Sequence, residues 1–259
     1  MASAGVLPAS GTAVLLREPT GADELFVLEG AGPAAATALA LAARLVCDNA
    51  GRAIDWATLP AVELAAAALL IRRSWLGDLL VAETMCPGLA CGEQIDVRVS
   101  IDAYLEHHRP SPCRGASESE PGWLTLTRTD VLFRIPTVGD LIETLDGSAG
   151  ASSLARSCIR PPEAPAAVRR RIDRALDALA PRLDGELGGT CPGCGETIEL
   201  RFEPIGYVLE ELRDASSEVL GQVHELALAY HWSEESILAV PRRRRLGYVT
   251  MIRGELALT

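Results

Sequence analysis

The chain has no lysine, few aromatic residues and no long hydrophobic run. All 24 basic residues are arginines, and 35 acidic residues outnumber them, so the formal net charge is −11. A chain this acidic is not a general nucleic-acid coat, because binding to phosphate groups needs a positive field. Its apolar runs are bounded by charges and are far shorter than the roughly 20 residues that cross a bilayer. We therefore expect no membrane partner, and any contact with nucleic acid would have to be local.

The chain has seven cysteines, which is an odd number, in 259 residues. That length can bury a hydrophobic core without the help of disulfides. The first ten residues lack the basic start and the apolar stretch of a secretory signal, so we expect a cytoplasmic protein. Disulfides are disfavoured in that reducing compartment, and metal binding or simple burial is the better account of the cysteines.

A capped-helix motif occurs twice without a gap. Residues 17–30 and 134–147 share the pattern R-x-P-T-x-x-D-x4-L-[DE]-G. The threonine is expected to cap a helix, the aspartate to lie near the positive helix end, and the glycine to stop the helix. These positions are Thr20, Asp23 and Gly30 in the first copy and Thr137, Asp140 and Gly147 in the second.

A cysteine-containing motif recurs downstream in the same order. Residues 91–98 (CGEQIDVR) parallel residues 194–201 (CGETIELR), and Tyr104 corresponds to Tyr207. Two motifs that recur in order indicate two related halves. The alternative interpretation is a coincidence between two capped helices and two turn-and-strand segments.

The duplication predicts how the chain is divided. Residues 109–122 are rich in Pro, Ser and Gly without apolar periodicity, which is typical of a linker. The first half is then residues 1–108, the second half residues 123–212, and a C-terminal helical segment occupies residues 213–259. The predicted fold class is α+β, with a short capped helix, further helices and a cysteine knuckle with a β-hairpin in each half.

Local patterns locate the main elements of both halves. Apolar stripes and alternation predict helices at 34–46, 60–73 and 164–179, and strands at 13–16, 94–99, 123–127, 131–135 and 197–202. Core packing is the ordinary role of these apolar faces.

Four cysteines have the spacing of metal-binding knuckles. Cys191 and Cys194 lie in a C-P-x-C-G turn, and Cys86 and Cys91 form its counterpart with two extra residues, still within the range that structural zinc tolerates. We predict one structural zinc ion that is held by these four residues across the two halves, with no open position for catalysis. In the alternative interpretation, the longer first turn no longer chelates and the cysteines are relics. The remaining three are predicted to be buried or incidental thiols: Cys47, Cys113 and Cys158.

The sequence contains none of the common catalytic motifs. It has no G-x-S-x-G, no phosphate loop, no H-E-x-x-H and no glycine-rich dinucleotide turn. A pair of a cysteine and a histidine stays open as a nucleophilic site, but nothing marks one cysteine as activated. We predict a non-enzymatic protein with no catalytic residues and no small-molecule substrate.

The C-terminal segment is predicted to contain three helices. The first begins near Glu218 and ends near His231 and Trp232; the second is short and is capped by Ser233; the third begins after Pro241 with a run of four arginines. A basic helix after a turn is compatible with a DNA-binding helix-turn-helix motif. However, consecutive arginines spread around a helix, and cations are disfavoured at its N-terminus. A solvated or protein-binding face is the more ordinary interpretation, and a zinc-ribbon DNA-binding regulator is the alternative function.

Several stretches of this segment carry a family resemblance. They are V-H-E-L-A at 223–227, Y-H-W-S at 230–233, I-L-A-V-P at 237–241, and the arginine run at 242–245 with Tyr248. They resemble the C-terminus of baseplate proteins from T4-like contractile phages and phage-tail-like contractile injection systems. The C-P-x-C-G knuckle and residues 55–78 are similar as well, whereas the first knuckle departs from the usual spacing.

The resemblance implies a structural or assembly component of a baseplate. We expect it in the cytoplasm, either as an assembly factor that leaves or as a part of the assembled particle. Its partners would be other baseplate proteins and hub or spike proteins. Aromatic and arginine residues are common interface anchors. The expected partner-binding residues are Tyr230, His231, Trp232, Arg242, Arg243, Arg244 and Arg245. Neutral replacements of the four arginines are expected to weaken assembly and to leave the fold intact.

Overall fold

Helices and small antiparallel sheets alternate along the chain in the computed structural model, which describes residues 3–145 and 157–256. The predicted α+β class is therefore confirmed. Gly147, the predicted stop of the second capped helix, lies outside the described residues. Every described helix is too short or too polar to cross a bilayer.

The elements of the first half run from strand β1 to helix α4. They are β1 (Ser3–Val6), β2 (Ala13–Leu16), α1 (Gly21–Glu29), α2 (Ala34–Leu45), β3 (Val46–Asp48), a 3-10 helix (Trp56–Thr58), α3 (Val62–Leu76), β4 (Leu79–Met85), β5 (Gln94–Ser100) and α4 (Ile101–His107).

The second half and the C-terminal segment contain the other elements. β6 (Ala116–Glu120) lies in the predicted linker, and the second half has β7 (Trp123–Leu126), β8 (Leu132–Phe133), α5 (Val138–Leu145), β9 (Ile159–Arg160), α6 (Ala166–Leu179), β10 (Gly185–Thr190), β11 (Thr197–Phe202) and α7 (Pro204–Ser216). The C-terminal segment has α8 (Val219–Tyr230), α9 (Glu234–Leu238) and α10 (Arg242–Leu256). The predicted helices are thus present as α2, α3 and α6.

Each half begins with the same antiparallel arrangement of three strands. The strand order is β1-β2-β3 in the first half and β7-β8-β9 in the second, and the capped helix follows the middle strand in both. Leu16 of β2 pairs with Val46, and Phe133 of β8 pairs with Ile159. The side chains of Leu16 and Phe133, which occupy equivalent positions, are both buried. The repeated sequence motif therefore marks a repeated supersecondary unit.

The capping residues of the motif act as predicted. The backbone N–H of Thr20 donates to Asp23 Oδ2 at 2.8 Å, and that of Thr137 donates to Asp140 Oδ2 at 2.7 Å. α1 ends at Glu29, so the first glycine of the motif follows the helix as expected. The carboxylate of each aspartate satisfies a backbone donor that the helix itself leaves unpaired.

Part of the predicted linker is a strand. β6 lies within residues 109–122 and pairs with β7, with Ser117 opposite Thr125, as an edge strand of a four-stranded sheet. Most side chains of β6 are exposed. Because main-chain hydrogen bonds hold this strand, it has no apolar alternation that a sequence pattern could reveal.

One hydrophobic core joins the two halves. Leu70 of α3 and Val208 and Leu212 of α7 belong to the same buried cluster. Arg72 of α3 also donates from Nε to Glu211 Oε2 of α7 at 2.8 Å. The halves are related in sequence, but they do not pack as independent units. A smaller cluster lies within the second half around Leu126, Phe133 and Ile172.

The C-terminal segment packs on the first half. The backbone N–H of Arg242 donates to the carbonyl of Pro19 at 2.9 Å, next to a β-bridge between Thr20 and Pro241. Ser233 caps α9 as predicted, because its side chain accepts the N–H of Ser236. The start of α10 is therefore fixed against the capped-helix motif of the first half.

Candidate metal centre

The two cysteine knuckles are built on equivalent hairpins. β4 pairs with β5 and β10 with β11, each as a separate two-stranded sheet whose turn carries two cysteines. At the start of each turn, the N–H of Cys86 donates to the carbonyl of Glu93, and that of Cys191 to the carbonyl of Glu196, both at 2.8 Å. The two turns thus close on the same backbone hydrogen bond in spite of their different lengths.

The glycine that follows the second cysteine of each knuckle adopts a backbone conformation that other residues avoid. Gly92 has φ of +63° and Gly195 has φ of +77°. Residues with a Cβ rarely adopt this left-handed conformation, so the repeated Cys-Gly pair is a requirement of the turn.

The two extra residues of the first knuckle do not displace its cysteines. The N–H of Cys91 donates to the carbonyl of Gly88 at 3.0 Å, and Leu89 projects fully into solvent. Gly88 lies so close to the sulfurs that a Cβ there would be 3.4 Å from Cys86 Sγ and 3.5 Å from Cys194 Sγ. The longer turn therefore bulges outward while both thiols still face the second knuckle.

The four sulfur atoms lie within 4.8 Å of one another. Cys86 Sγ is 3.5 Å from Cys194 Sγ, and Cys91 Sγ is 3.7 Å from Cys191 Sγ. A tetrahedral zinc site with Zn–S bonds of about 2.3 Å has sulfur–sulfur edges of about 3.8 Å. These residues can therefore hold one metal ion. Both of these distances join one half to the other, so the four cysteines converge across the two halves as predicted.

The four thiols differ in their surroundings. Cys86 and Cys191 are buried, Cys91 is half-buried and Cys194 is exposed. Burial opposes ionisation of Cys191, but the backbone N–H groups of Cys194 and Gly193 lower its pKa to about 7. The N–H of Gly88 favours the thiolate of Cys86, whereas burial and the neighbouring thiols raise its pKa to about 12. Thiolates are the ligand form, and the backbone donors around Cys191 favour that form.

Two tyrosines link the two halves near the strand ends that lie opposite the cysteine turns. The hydroxyl of Tyr104 donates to the carbonyl of Leu183 at 2.7 Å, and that of Tyr207 donates to the carbonyl of Val81 at 3.0 Å. Phe202 packs edge-on to both rings, at 5.4 and 5.6 Å. Each half therefore contributes a tyrosine to the other half. The sequence showed the correspondence of these tyrosines but not their role, because their partners are main-chain carbonyls.

The cysteines without knuckle spacing lie away from this centre. Cys158 is buried, as predicted, and Cys47 and Cys113 are half-buried. Cys47 Sγ lies 3.5 Å from the carbonyl oxygen of Leu15. Within residues 3–145 and 157–256, the knuckle cysteines form the cluster with metal-ligand geometry, and these three take no part in it.

The four consecutive arginines do not form one exposed group. Arg242 and Arg245 both form ion pairs with Glu24 of α1, and Arg245 is fully buried. Arg245 Nε also donates to Gln222 Oε1 at 3.0 Å. Residues that are three apart share a helix face, so this pair points into the protein. Arg243 and Arg244 are exposed, Arg242 is half-buried and Arg245 is fully buried. This corrects the prediction that Arg245 meets a partner, and it leaves few of the arginines for DNA phosphates.

The predicted aromatic residues lie together on the surface. Tyr230 and Trp232 stack at 5.2 Å, and Tyr248 is edge-on to both, at 5.9 and 5.3 Å. We call these three residues the aromatic cluster. Arg244 Nη2 donates to the hydroxyl of Tyr248 at 3.0 Å. Between the stacked residues, His231 is exposed and adopts φ of +56°, which turns the chain so that both rings meet.

Comparison of the chain with protein-family models, with curated proteins and with solved structures finds no match.

Proposed function

We propose that this protein is a non-enzymatic structural or assembly component of the baseplate of a contractile phage tail or phage-tail-like injection system. It acts by binding other baseplate proteins and hub or spike proteins. The observation that carries the proposal is the exposed aromatic cluster, which is formed by the same segment that carries the sequence resemblance.

The aromatic cluster has the properties of an interface anchor. The chain has only 11 Trp, Tyr and Phe residues, yet three of them meet here, and Tyr230 and Trp232 remain 38% and 36% exposed. Ring–ring contacts hold the side chains in place before a partner arrives, so little conformational entropy is lost on binding. Arg244 adds a charged group at the edge, a combination that is common in interface hot spots.

We also propose that the metal is a structural zinc ion. Four thiolates in tetrahedral geometry suit zinc or iron, and a site with four protein ligands leaves no position for a substrate. Bound zinc would offset part of the charge of the neighbouring thiolates and hold the two hairpins together. Its role in the proposed function is to keep docking surfaces on different parts of the chain in a constant relation.

Incorporation into particles tests the baseplate function. The double variant Tyr230→Ala/Trp232→Ala, co-expressed with the other genes of the particle, should co-purify with particles at about tenfold lower yield than the wild type. Leu89→Ala, which removes a fully exposed apolar side chain elsewhere, is the matched control and should co-purify normally. Wild-type levels of the double variant in intact particles would refute the proposed docking role.

Metal analysis of the purified protein tests the zinc assignment. We expect about one zinc ion per chain in the wild type and in Cys47→Ser, and at least about fivefold less in Cys191→Ser. A visible iron–thiolate absorption band would instead assign iron. A wild-type protein without bound metal would exclude the four-cysteine site.

A further inference from the structure

A cleft lies where the C-terminal segment meets the first half. Its volume is about 380 Å³. Arg17 lines it from the capped-helix motif, Trp75 from the end of α3, and Arg242, Arg243 and Leu246 from α10. The cleft thus combines guanidinium groups with apolar side chains, and it is separate from the aromatic cluster.

Positive charge exceeds negative charge around this cleft. Two buried carboxylates beside it each carry two guanidinium groups, since Asp23 pairs with Arg17 and Arg44, and Glu24 pairs with Arg242 and Arg245. Each set therefore keeps one surplus positive charge. This local excess stands out on a chain whose net charge is −11.

Arg243 adds a charge that no internal carboxylate neutralises. It is exposed, it lines the cleft, and in the described parts of the chain no carboxylate pairs with it. Glu18 supplies the one negative charge among the lining side chains. The cleft therefore offers N–H donors to a carboxylate that comes from outside the chain.

We propose that this cleft binds an acidic peptide segment of a partner protein. Carboxylates of the segment pair with Arg243, with the one Nη2–H of Arg17 that its internal partners leave over, and with the N–H groups of Arg242 other than Nη1. A neighbouring apolar side chain packs on Trp75 and Leu246. Charge-assisted hydrogen bonds and apolar burial then act together. The cleft is a docking site in addition to the aromatic cluster.

The equivalent cleft of the second half lacks this excess of positive charge. That cleft, of about 370 Å³, is lined by Trp123, Arg134 and Glu118. Arg134 forms a one-to-one pair with Asp140, and Glu118 adds a negative charge. The repeated motif thus forms a cleft in both halves, but only the one completed by α10 suits an acidic ligand.

A nucleic acid fits the first cleft less well than a peptide. A polyphosphate chain needs an extended positive field, and the acidic remainder of this protein opposes one. A phosphate backbone also has no apolar group that could pack against the lining around Trp75, whereas a leucine or phenylalanine beside a glutamate could pack there.

Peptide binding to the full-length protein tests this inference without any particle. The probe is a fluorescein-labelled peptide of alternating glutamate and leucine, measured by fluorescence anisotropy at low and physiological salt. The reference probes are the same peptide with glutamine for glutamate and a labelled single-stranded DNA. Arg243→Gln should weaken binding of the glutamate peptide about tenfold, whereas Arg170→Gln, which changes an exposed arginine of α6 that does not line the cleft, should leave it unchanged.

Three outcomes would overturn the inference. They are equal binding of the glutamate and glutamine peptides, equal effects of the two arginine variants, or binding of DNA that is stronger than binding of the glutamate peptide and is lost in Arg243→Gln. None of them bears on the aromatic cluster, so the proposed baseplate function would stand or fall separately.

Discussion

Gly92 and Gly195 show how a single backbone conformation explains a repeated residue. Both have positive φ, and an added Cβ at either position would meet no atom within 4 Å. Glycine is thus required at both positions because of the backbone conformation, and not because a side chain would lack space.

Gly195→Ala is expected to lower the free energy of unfolding by about 1 kcal/mol, because alanine must be forced into the left-handed region. Gly188→Ala in β10 is the control, since a Cβ there is equally free of contacts and φ is not left-handed. Urea denaturation of both variants measures the difference. Equal effects of the two substitutions would show that the backbone conformation of the knuckle is unimportant.

The arginine of the capped-helix motif binds the capping aspartate in both halves. Arg17 donates to both carboxylate oxygens of Asp23 at 2.7 Å, and Arg134 does the same to Asp140 at 2.5 and 2.6 Å. The repeated motif contains this arginine in both copies, but the sequence alone indicated no role for it. A pair six residues apart across a turn is not visible from helical or strand periodicity.

Arg134 and Asp140 predict a pH dependence of stability. The guanidinium of Arg134 lowers the pKa of Asp140 to about 2, whereas an unfolded aspartate titrates at about 3.9. Because the folded value is lower, the pair stabilises the fold above about pH 4, and this contribution is lost as the pH falls towards 2. Arg134→Gln should lower the free energy of unfolding by about 1–3 kcal/mol at pH 7 and by much less at about pH 2.

Urea denaturation across this pH range measures the effect. The control is Arg170→Gln, an exposed arginine of α6, for which we expect no such dependence. A loss of stability in Arg134→Gln that is the same at both ends of the range would contradict the assigned role.

Helix α10 depends on a buried ion pair for its position. Arg245 is completely buried and Glu24 is 1% exposed. Removing one partner of a buried pair leaves a charge that is poorly compensated. The expectation that all four arginines can be neutralised without harm to the fold is therefore wrong for Arg245, which the sequence could not reveal because its partner is more than 200 residues away.

Arg245→Gln should lower the free energy of unfolding by about 3–5 kcal/mol and expose the connection between α9 and α10 to proteases. Arg243→Gln, in the same turn but exposed, should change neither property. Urea denaturation and limited proteolysis of the two variants measure this. If both variants are cut at the same rate, α10 is held by other contacts.

The two halves share a core and a candidate metal centre, so metal removal should affect the whole protein. A metal ion that binds only the folded state stabilises it by mass action. We expect a strong chelator to lower Tm of the wild type by about 10 °C and to leave Tm of Cys191→Ser unchanged. Melting curves of the wild type that coincide with and without chelator would mean that the cysteine cluster does not contribute to stability.

Features that depend on a few adjacent residues were predictable from the sequence. The threonine caps, the knuckle turns, the strand Thr197–Phe202 and the order of the duplicated motifs all follow from local spacing and backbone preference. Local hydrogen bonds and backbone φ preferences involve only a few neighbouring residues, so the amino-acid sequence is sufficient to predict them.

Contacts between distant residues required the tertiary structure. The convergence of four sulfurs, the exchange of Tyr104 and Tyr207 between halves, and the burial of Arg245 each join segments about 80 to 220 residues apart. β6 belongs to the same class, because its strand character comes from hydrogen bonds to β7 and not from its own side chains. The sequence by itself determined the repeated units and their turns. Only the tertiary structure decided which charged side chains face inward, because a charge can be buried only where the fold places a partner next to it.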